Sequence, residues 1–239
     1  EIVKYDAEQP DKRLAGARFK FTNLDTNTAV ILITGDDGRA VSSKVPIGSV
    51  GTDGSVSLYY FQVQEVDAPD GYLLEPEAHP FQFNVTTDRK DTIVFHYKAA
   101  DQPNKVIISK KTLTDKEELP GAHLEVRPVT ESIDEDGQTV KVEGDVIDSW
   151  VSTTEPHEIR NLKPGEYVLI ETRAPEGYLE AEKIYFTIKE NMTAEEIPYV
   201  EMFDDDTKAE IRKVDGETNE ALAGAKLQMV RKETGELIK

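Results

Sequence analysis

A lysine, a glutamate and an aspartate recur in this 239-residue chain at nearly constant spacing. Lys4, Lys110 and Lys213 each close an Ile-x-Lys triplet: Ile2-Val3-Lys4, Ile108-Ser109-Lys110 and Ile211-Arg212-Lys213. Lys4 precedes Glu65 by 61 residues, and Lys110 precedes Glu171 by the same 61. Asp101 follows Glu65 by 36 residues and Asp204 follows Glu171 by 33. In a strand, side chains two apart point to one face. Each lysine thus shares the face of its isoleucine, Glu65 that of Phe61 and Val63, and Glu171 that of Tyr167 and Leu169. Asp101 lies in register with Phe95, Tyr97 and Ala99, and Asp204 with Val200 and Met202. With regular pairing, each repeat brings one amine and two carboxyls inward from three separate strands.

That grouping restricts the chemistry. An isolated buried charge is very costly, so the three groups must pair or become neutral. Burial lowers an amine pKa and raises a carboxyl pKa, which favours a neutral amine beside a protonated acid. A neutral amine is a nucleophile, and an acid hydrogen-bonded to a second carboxyl carries a more electrophilic carbon. Holding the two together supplies a large effective concentration. The reaction open to them is loss of water, giving an amide between the lysine and the aspartate side chain. The glutamate shuttles protons and is not consumed. Asn104 competes with Asp101 as acceptor, and Asp206 shares the parity of Asp204, so both acceptors stay open here. A buried ion-pair cluster with no bond is the alternative.

The elements that must position these groups repeat as well. Each Ile-x-Lys strand is followed by a Leu-x-Gly-Ala turn: Leu14-Ala15-Gly16-Ala17, Leu119-Pro120-Gly121-Ala122 and Leu222-Ala223-Gly224-Ala225. A second signature, Glu-x-x-Ala-Pro-x-Gly-Tyr, spans Glu65 to Tyr72 and Glu171 to Tyr178. In its turn Pro presets φ, Gly permits φ > 0 and Tyr packs. The lysines lie 106 and 103 residues apart, so a repeat is a domain of ordinary size. The expected organisation is a first domain over 1–103, a second over 104–206, and the N-terminal part of a third over 207–239. Joints fall at Asp101-Gln102-Pro103-Asn104 and Asp204-Asp205-Asp206-Thr207, short enough to stand the domains end to end. Phe19/Phe21, Leu124/Val126 and Leu227/Met229 alternate with polar residues, the period of half-buried strands. Asp37-Gly38, Asp53-Gly54, Asp136-Gly137 and Pro164-Gly165 are turn signals. Thr193-Ala194-Glu195-Glu196 is the clearest helix, and it is short. The fold class expected is all-β, as tandem β-sandwiches.

Composition removes other function classes. There are 47 acidic and 28 basic residues and a net charge of −19, which disfavours nucleic acid and anionic membranes as partners. Cysteine is absent, which excludes disulfides, thiolate metal sites and cysteine nucleophiles. No apolar run approaches the roughly 18 residues of a membrane span. Both ends resemble strand interiors, so the chain reads as a segment of something longer. Acidic runs such as Asp204-Asp205-Asp206 and Asp134-Glu135-Asp136 match no calcium loop, and a solvated turn explains them. His79, His96, His123 and His157 lack metal-ligand spacing, and no Ser-His-Asp constellation is present. No metal or cofactor is expected. Trp150 is expected to pack in the second sandwich.

The run Tyr167-x-Leu169-x-Glu171-Thr172-x-Ala174-Pro175-x-Gly177-Tyr178, with the Ile-x-Lys strands, resembles the E-box pattern of collagen-adhesin B-type (CnaB) domains, the SpaA-like pilin domains of Gram-positive surface proteins. The resemblance covers both full repeats and the third stub. It implies immunoglobulin-like, prealbumin-like sandwiches, and autocatalytic isopeptide bonds Lys4–Asp101 and Lys110–Asp204 promoted by Glu65 and Glu171. The first repeat departs from the pattern in lacking a Pro-Gly turn before its E-box strand. Lys213 has no glutamate or aspartate counterpart in the chain, so another chain would have to complete its fold. The function implied is a stalk or shaft segment of a cell-wall-anchored adhesin or pilin on the bacterial surface. Its partners would be other pilin subunits or a host matrix protein. Sortase anchorage to peptidoglycan rests on the resemblance alone, since no Leu-Pro-x-Thr-Gly signal occurs in the chain. Two other readings are a host-ligand module using the stretch from Asn27 to Gly51, and accessory β-domains of a secreted enzyme. None of the three makes the chain itself an enzyme on other substrates.

Overall fold

A computed structural model describes residues 1–83, 93–207 and 211–230, together with 232, 234, 235, 237 and 238. The chain divides into two compact units, Glu1–Asp206 and Thr207–Lys239. The larger unit contains two sandwiches built on one plan.

In the first sandwich, β1 (Ile2–Asp6) lies between β4 (Arg39–Ala40), antiparallel, and β9 (Tyr97–Asp101), parallel. The facing sheet orders β3 (Thr28–Ile33), β2 (Arg18–Asn23), β7 (Tyr60–Asp67) and β8 (Ala78–Gln82). Between them pack Ile2, Ala40 and Ala99 from one sheet and Phe19, Phe21, Phe61 and Val63 from the other. Phe61 stacks on Phe21 and Phe81 at 5.3 and 5.8 Å between ring centres, geometry that adds to the area buried. A small hairpin, β5 (Gly48–Val50) with β6 (Val56–Leu58), turns at Asp53-Gly54 as its sequence predicts. The stretch from Asn27 to Gly51 is therefore not a free insert. It supplies β3, the partner of β2, and β4, the partner of β1.

The second sandwich repeats the scheme. Here β10 (Lys105–Thr112) lies between β14 (His157–Arg160), antiparallel, and β17 (Tyr199–Asp204), parallel. Opposite, β12 (Thr139–Glu143), β11 (His123–Ile133), β15 (Gly165–Arg173) and β16 (Ile184–Ile188) form a sheet, and β13 (Asp148–Val151) also pairs with β11. Val106, Ile108 and Met202 pack against Leu124, Val126, Tyr167 and Leu169. Trp150 packs at the edge of this core and stacks on His157 at 4.2 Å. The predicted short helix is one 3-10 turn, Ala194–Glu196, with Glu196 accepting from the Thr193 amide at 3.1 Å.

The inward parity read from sequence holds in both sandwiches. Strand β1 buries Ile2, Lys4 and Asp6, β7 buries Phe61, Val63 and Glu65, and β9 buries Ala99 and Asp101. The third repeat departs from expectation. Ile211-Arg212-Lys213 forms no strand, and Ile211, Lys213 and Leu227 are exposed. Its strands are β18 (Met229–Val230) and β19 (Leu237–Ile238), paired with each other. In the first two repeats the Ile-x-Lys strand is held between a parallel and an antiparallel neighbour, and among the described residues Ile211–Lys213 has no such parallel neighbour. Without that pairing, its ladder groups have no reason to leave water.

One glycine bears on the placement of Lys4. Gly38 has φ +71°, and a Cβ there would lie 2.5 Å from the Lys4 carbonyl and 2.9 Å from Arg13 Cβ. The Lys4 amide donates to the Gly38 carbonyl at 2.8 Å. Gly38→Ala is expected to lower the unfolding free energy of the first sandwich by at least about 1–3 kcal/mol, the backbone cost alone. Urea titration checks this, and an unchanged midpoint would show that β1 can shift freely.

Candidate crosslinking sites

Parallel pairing of the first and last strands brings the lysine and aspartate together. In the β1–β9 register Lys4 stands opposite Ala99, and Asp6 opposite Asp101. The carboxyl therefore lies two residues along on the same face as the amine. The second sandwich repeats this offset, with Lys110 opposite Met202 and Thr112 opposite Asp204. The facing sheet delivers Glu65 and Glu171 from β7 and β15.

The result is two closely similar triads. Lys4 Nζ bonds Asp101 Oδ1 and lies 2.8 Å from Glu65 Oε1. Lys110 Nζ bonds Asp204 Oδ1 and lies 3.1 Å from Glu171 Oε1. All six side chains are at most 2% exposed, so water does not screen them. Lys4 also lies over the Phe19 ring, 5.3 Å from its centre, a contact that favours a cation.

Two carboxylates against one ammonium would leave a buried negative charge, and the carboxyl groups respond. Burial, and then the neighbouring Asp101, push Glu65 up to about 7 against the pull of Lys4. Asp101 is also raised by burial. Asp204 is raised to about 6 by burial, with Lys110 opposing and Glu171 adding to it. In each triad the two carboxyls converge on one lysine Nζ. Asp101 Oδ2 and Asp204 Oδ2 are buried with no hydrogen-bond partner, and Glu65 Oε1 and Glu171 Oε1 have none beyond the ion pair to their lysine. One proton held between the two carboxyls of a triad would partner the orphan aspartate oxygen.

The other glutamate oxygen is held by the chain after the Ala-Pro-x-Gly-Tyr turn. Glu65 Oε2 accepts from the Glu75 amide at 3.3 Å, and Glu171 Oε2 from the Ala181 amide at 2.7 Å. The same turn is tied to the acceptor strand. Leu73 N donates to Gln102 O at 2.9 Å and Leu179 N to Asp205 O at 3.0 Å, while Tyr72 bridges Pro103 and Tyr178 bridges Asp206. One loop thus fastens both the glutamate and the aspartate.

The open acceptors separate clearly. Asn104 is buried but gives its side-chain amide to the Leu162 carbonyl at 2.8 Å, in the second sandwich. Asp206 sits in the bridge with Tyr178. Neither joins a triad, whereas Asp101 and Asp204 do. Lys213 is exposed in the smaller unit. Sequence reading passed over Asp6, although it shares the parity of Ile2 and Lys4. Burial pushes the Asp6 carboxyl up, but the Tyr72 hydroxyl, the Glu8 and Gln9 amides and Lys12 outweigh it and hold it below its ordinary value. Tyr72 donates to Asp6 at 2.8 Å, which explains the tyrosine that ends the first signature. Among the described residues no three His, Asp or Glu side chains gather as metal ligands, and no helix is long and apolar enough to cross a membrane.

Comparison with known proteins places the chain in a family. A comparison with curated proteins finds no match. Among solved structures, the Bacillus anthracis TIE protein is similar at 26% identity, over 86% of this chain and 33% of its own, with a TM-score of 0.46. This chain thus spans a third of that structure. The shaft pilin SpaA of Lactobacillus rhamnosus GG is similar at 15% identity, over 88% of this chain and 98% of its own, with a TM-score of 0.34. A streptococcal ancillary pilin is similar at 18% identity, over 87% and 62%, with a TM-score of 0.33. The family model described as SpaA, a prealbumin-like fold domain, matches residues 1–98 and again 104–200, and the chain belongs to that family.

Proposed function

We propose that this chain is a tension-bearing stalk segment of a bacterial cell-surface protein, in which each sandwich ties its first strand to its last by a Lys–Asp isopeptide bond. One observation carries the reading: the same amine–carboxyl–carboxyl triad stands sealed in both cores. Two independent structural ion pairs would have no reason to share strand offset, burial and orphan oxygens. Family membership supports a surface role, and subunits of pilus shafts are among the similar structures. Anchorage to the cell wall and assembly with other pilin subunits extend the reading.

The step balances within each triad. A proton passes from the lysine amine to the carboxyl pair, leaving Nζ with a free electron pair. Nζ attacks Asp Cγ and a C–N bond forms while the protonated glutamate gives its proton to the Asp carbonyl oxygen; the glutamate, now a carboxylate, takes the second proton from the amine. It passes that proton to the departing hydroxyl, the C–O bond breaks and water leaves, and the remaining hydroxyl returns its proton to the glutamate as the carbonyl re-forms. Nothing is oxidised or reduced, and the glutamate ends as it began. The chain acts only on itself, once per sandwich, and no cofactor enters.

The bonds would close spans of 97 and 94 residues. By analogy with a disulfide across such a loop, each adds on the order of 4–5 kcal/mol. An amide also survives reducing conditions, which suits a cysteine-free chain.

Intact mass is expected to fall two waters short of the sequence mass. Glu171→Ala should restore one water, with peptide mapping locating the loss at Lys110–Asp204, and should cost the second sandwich roughly 4–5 kcal/mol in unfolding experiments. A full sequence mass for the unsubstituted chain would sink the reading.

The raised carboxyls set a pH dependence. The reactive form of a triad carries no net charge, and it disappears when the shared proton is lost. Bond formation is therefore expected to slow as pH rises through about 7 in the first sandwich and through about 6 in the second. The linkage has the same sign. A carboxyl raised in the folded state stabilises the unbonded fold at low pH, and that contribution fades as pH rises through the folded-state value. Crosslinked-peptide yield against time at pH 5 to 9 tests both, and a rate that climbs across that range would rule out proton sharing.

A further inference from the structure

The loop that follows Glu65 belongs to two sandwiches at once. From the first, it holds Glu65 through the Glu75 amide and the acceptor strand through Leu73 N and the Tyr72–Pro103 bridge. From the second, two asparagines grip it. Asn191 accepts from the Ala68 amide and donates to Asp67 Oδ1, both at 2.9 Å, at the very end of β7. Asn161 donates to the Gly71 carbonyl at 3.0 Å and packs so closely that a Cβ on Gly71 would lie 3.3 Å from its Cα. Leu74 N donates to Met192 O at 2.8 Å. Leu73, 5% exposed, lies in the hydrophobic core of the second sandwich rather than the first.

We infer that Asn161 and Asn191 are positioning residues for Glu65, so that closure of the Lys4–Asp101 bond awaits folding and docking of the second sandwich. This rests on the isopeptide reading above and deepens it. The glutamate acts only where its carboxyl meets both the amine and the acid. Its approach is set by the end of β7 and the loop to Glu75. Before the second sandwich folds, that loop lacks four hydrogen bonds and the burial of Leu73. Glu65 then has the strand to place it but not the turn. A misplacement of about 1 Å is enough to slow an intramolecular reaction up to a hundred-fold. The first bond therefore closes only after its neighbour is in place, which locks the junction and the sandwich in one order.

Both asparagines have positive φ, +57° for Asn161 and +53° for Asn191, so glycine at either place keeps the backbone and deletes only the amide. The test uses the full chain, made by cell-free translation, sampled over time and digested so that each crosslinked peptide is counted separately. Asn161→Gly with Asn191→Gly should slow the Lys4–Asp101 crosslink about ten- to a hundred-fold, while the Lys110–Asp204 crosslink forms at the normal rate and reports a folded second sandwich. Asn191→Asp alone should slow the first bond by setting a carboxylate against Asp67. Adding Asp67→Asn restores the donor–acceptor pair in reverse and should recover most of the rate. Arg160→Ala, which cuts the exposed ion pair to Glu8 at the same junction, should leave the rate unchanged, since such pairs contribute little. Normal closure in the double-glycine variant, or no rescue by the reversed pair, overturns the inference while the isopeptide reading stands. An unsubstituted chain that forms neither crosslink overturns both.

Discussion

An ammonium and two carboxylates cannot share a dry interior as three separate charges, and that constraint organises both sandwiches. One negative charge is left over, and desolvation makes it expensive. The protein resolves it with a proton, as the raised Glu65, Asp101 and Asp204 carboxyls indicate. Everything around each triad keeps water out or holds an oxygen still. Phe19 covers Lys4, the strands before and after the triad residues bury aliphatic and aromatic neighbours, and a backbone amide fixes the far oxygen of each glutamate. Replacing a triad by apolar side chains of like volume would relieve the electrostatic cost, so its presence in two successive cores calls for a role beyond stability.

The geometry depends on a parallel pair. Antiparallel first and last strands would also place a lysine near an aspartate, but they would bring the chain in and out at the same end. With β1 parallel to β9 and β10 parallel to β17, each sandwich is entered at one end and left at the other. The turn after the glutamate lies at the exit end, beside the acceptor aspartate, and so meets the next sandwich. Its burial there follows from topology. Asn161 and Asn191 are the side chains that make use of it.

Much of this was legible in the residues because strands have a period of two. The inward lysine, glutamate and aspartate could be read from parity with Ile2, Phe61 and Ala99, and the repeat doubled the evidence. Choosing Asp101 over Asn104 needed three dimensions, because both lie at the same joint and only the parallel register decides between them. Asp6 was readable by the same parity argument, although the second repeat has Thr112 at the corresponding place. Asn161 and Asn191 gave no signal at all. A single asparagine at positive φ looks like any turn residue, and its partner lies 90 or more residues away. The third repeat carries the Ile-x-Lys motif without forming its strand among the described residues. A strand's pattern states which face it could bury, not that anything is there to bury it.

The spacing of the two triads along the chain bears on what such a segment does under load. With both amides closed, tension entering at Lys4 crosses to Asp101, and the residues between them carry none of it. It then runs through residues 102–109 to Lys110 and crosses again to Asp204. Those eight residues hold little slack. Pro103 is bridged to Tyr72, Asn104 is bonded on both sides, and β10 begins at Lys105. A chain already extended at about 3.3 Å per residue has almost no length left to give. Extension under force would then come from breaking the junction contacts rather than from unravelling either core. The hydrogen bonds that hold the loop after Glu65 are among those the junction would rely on.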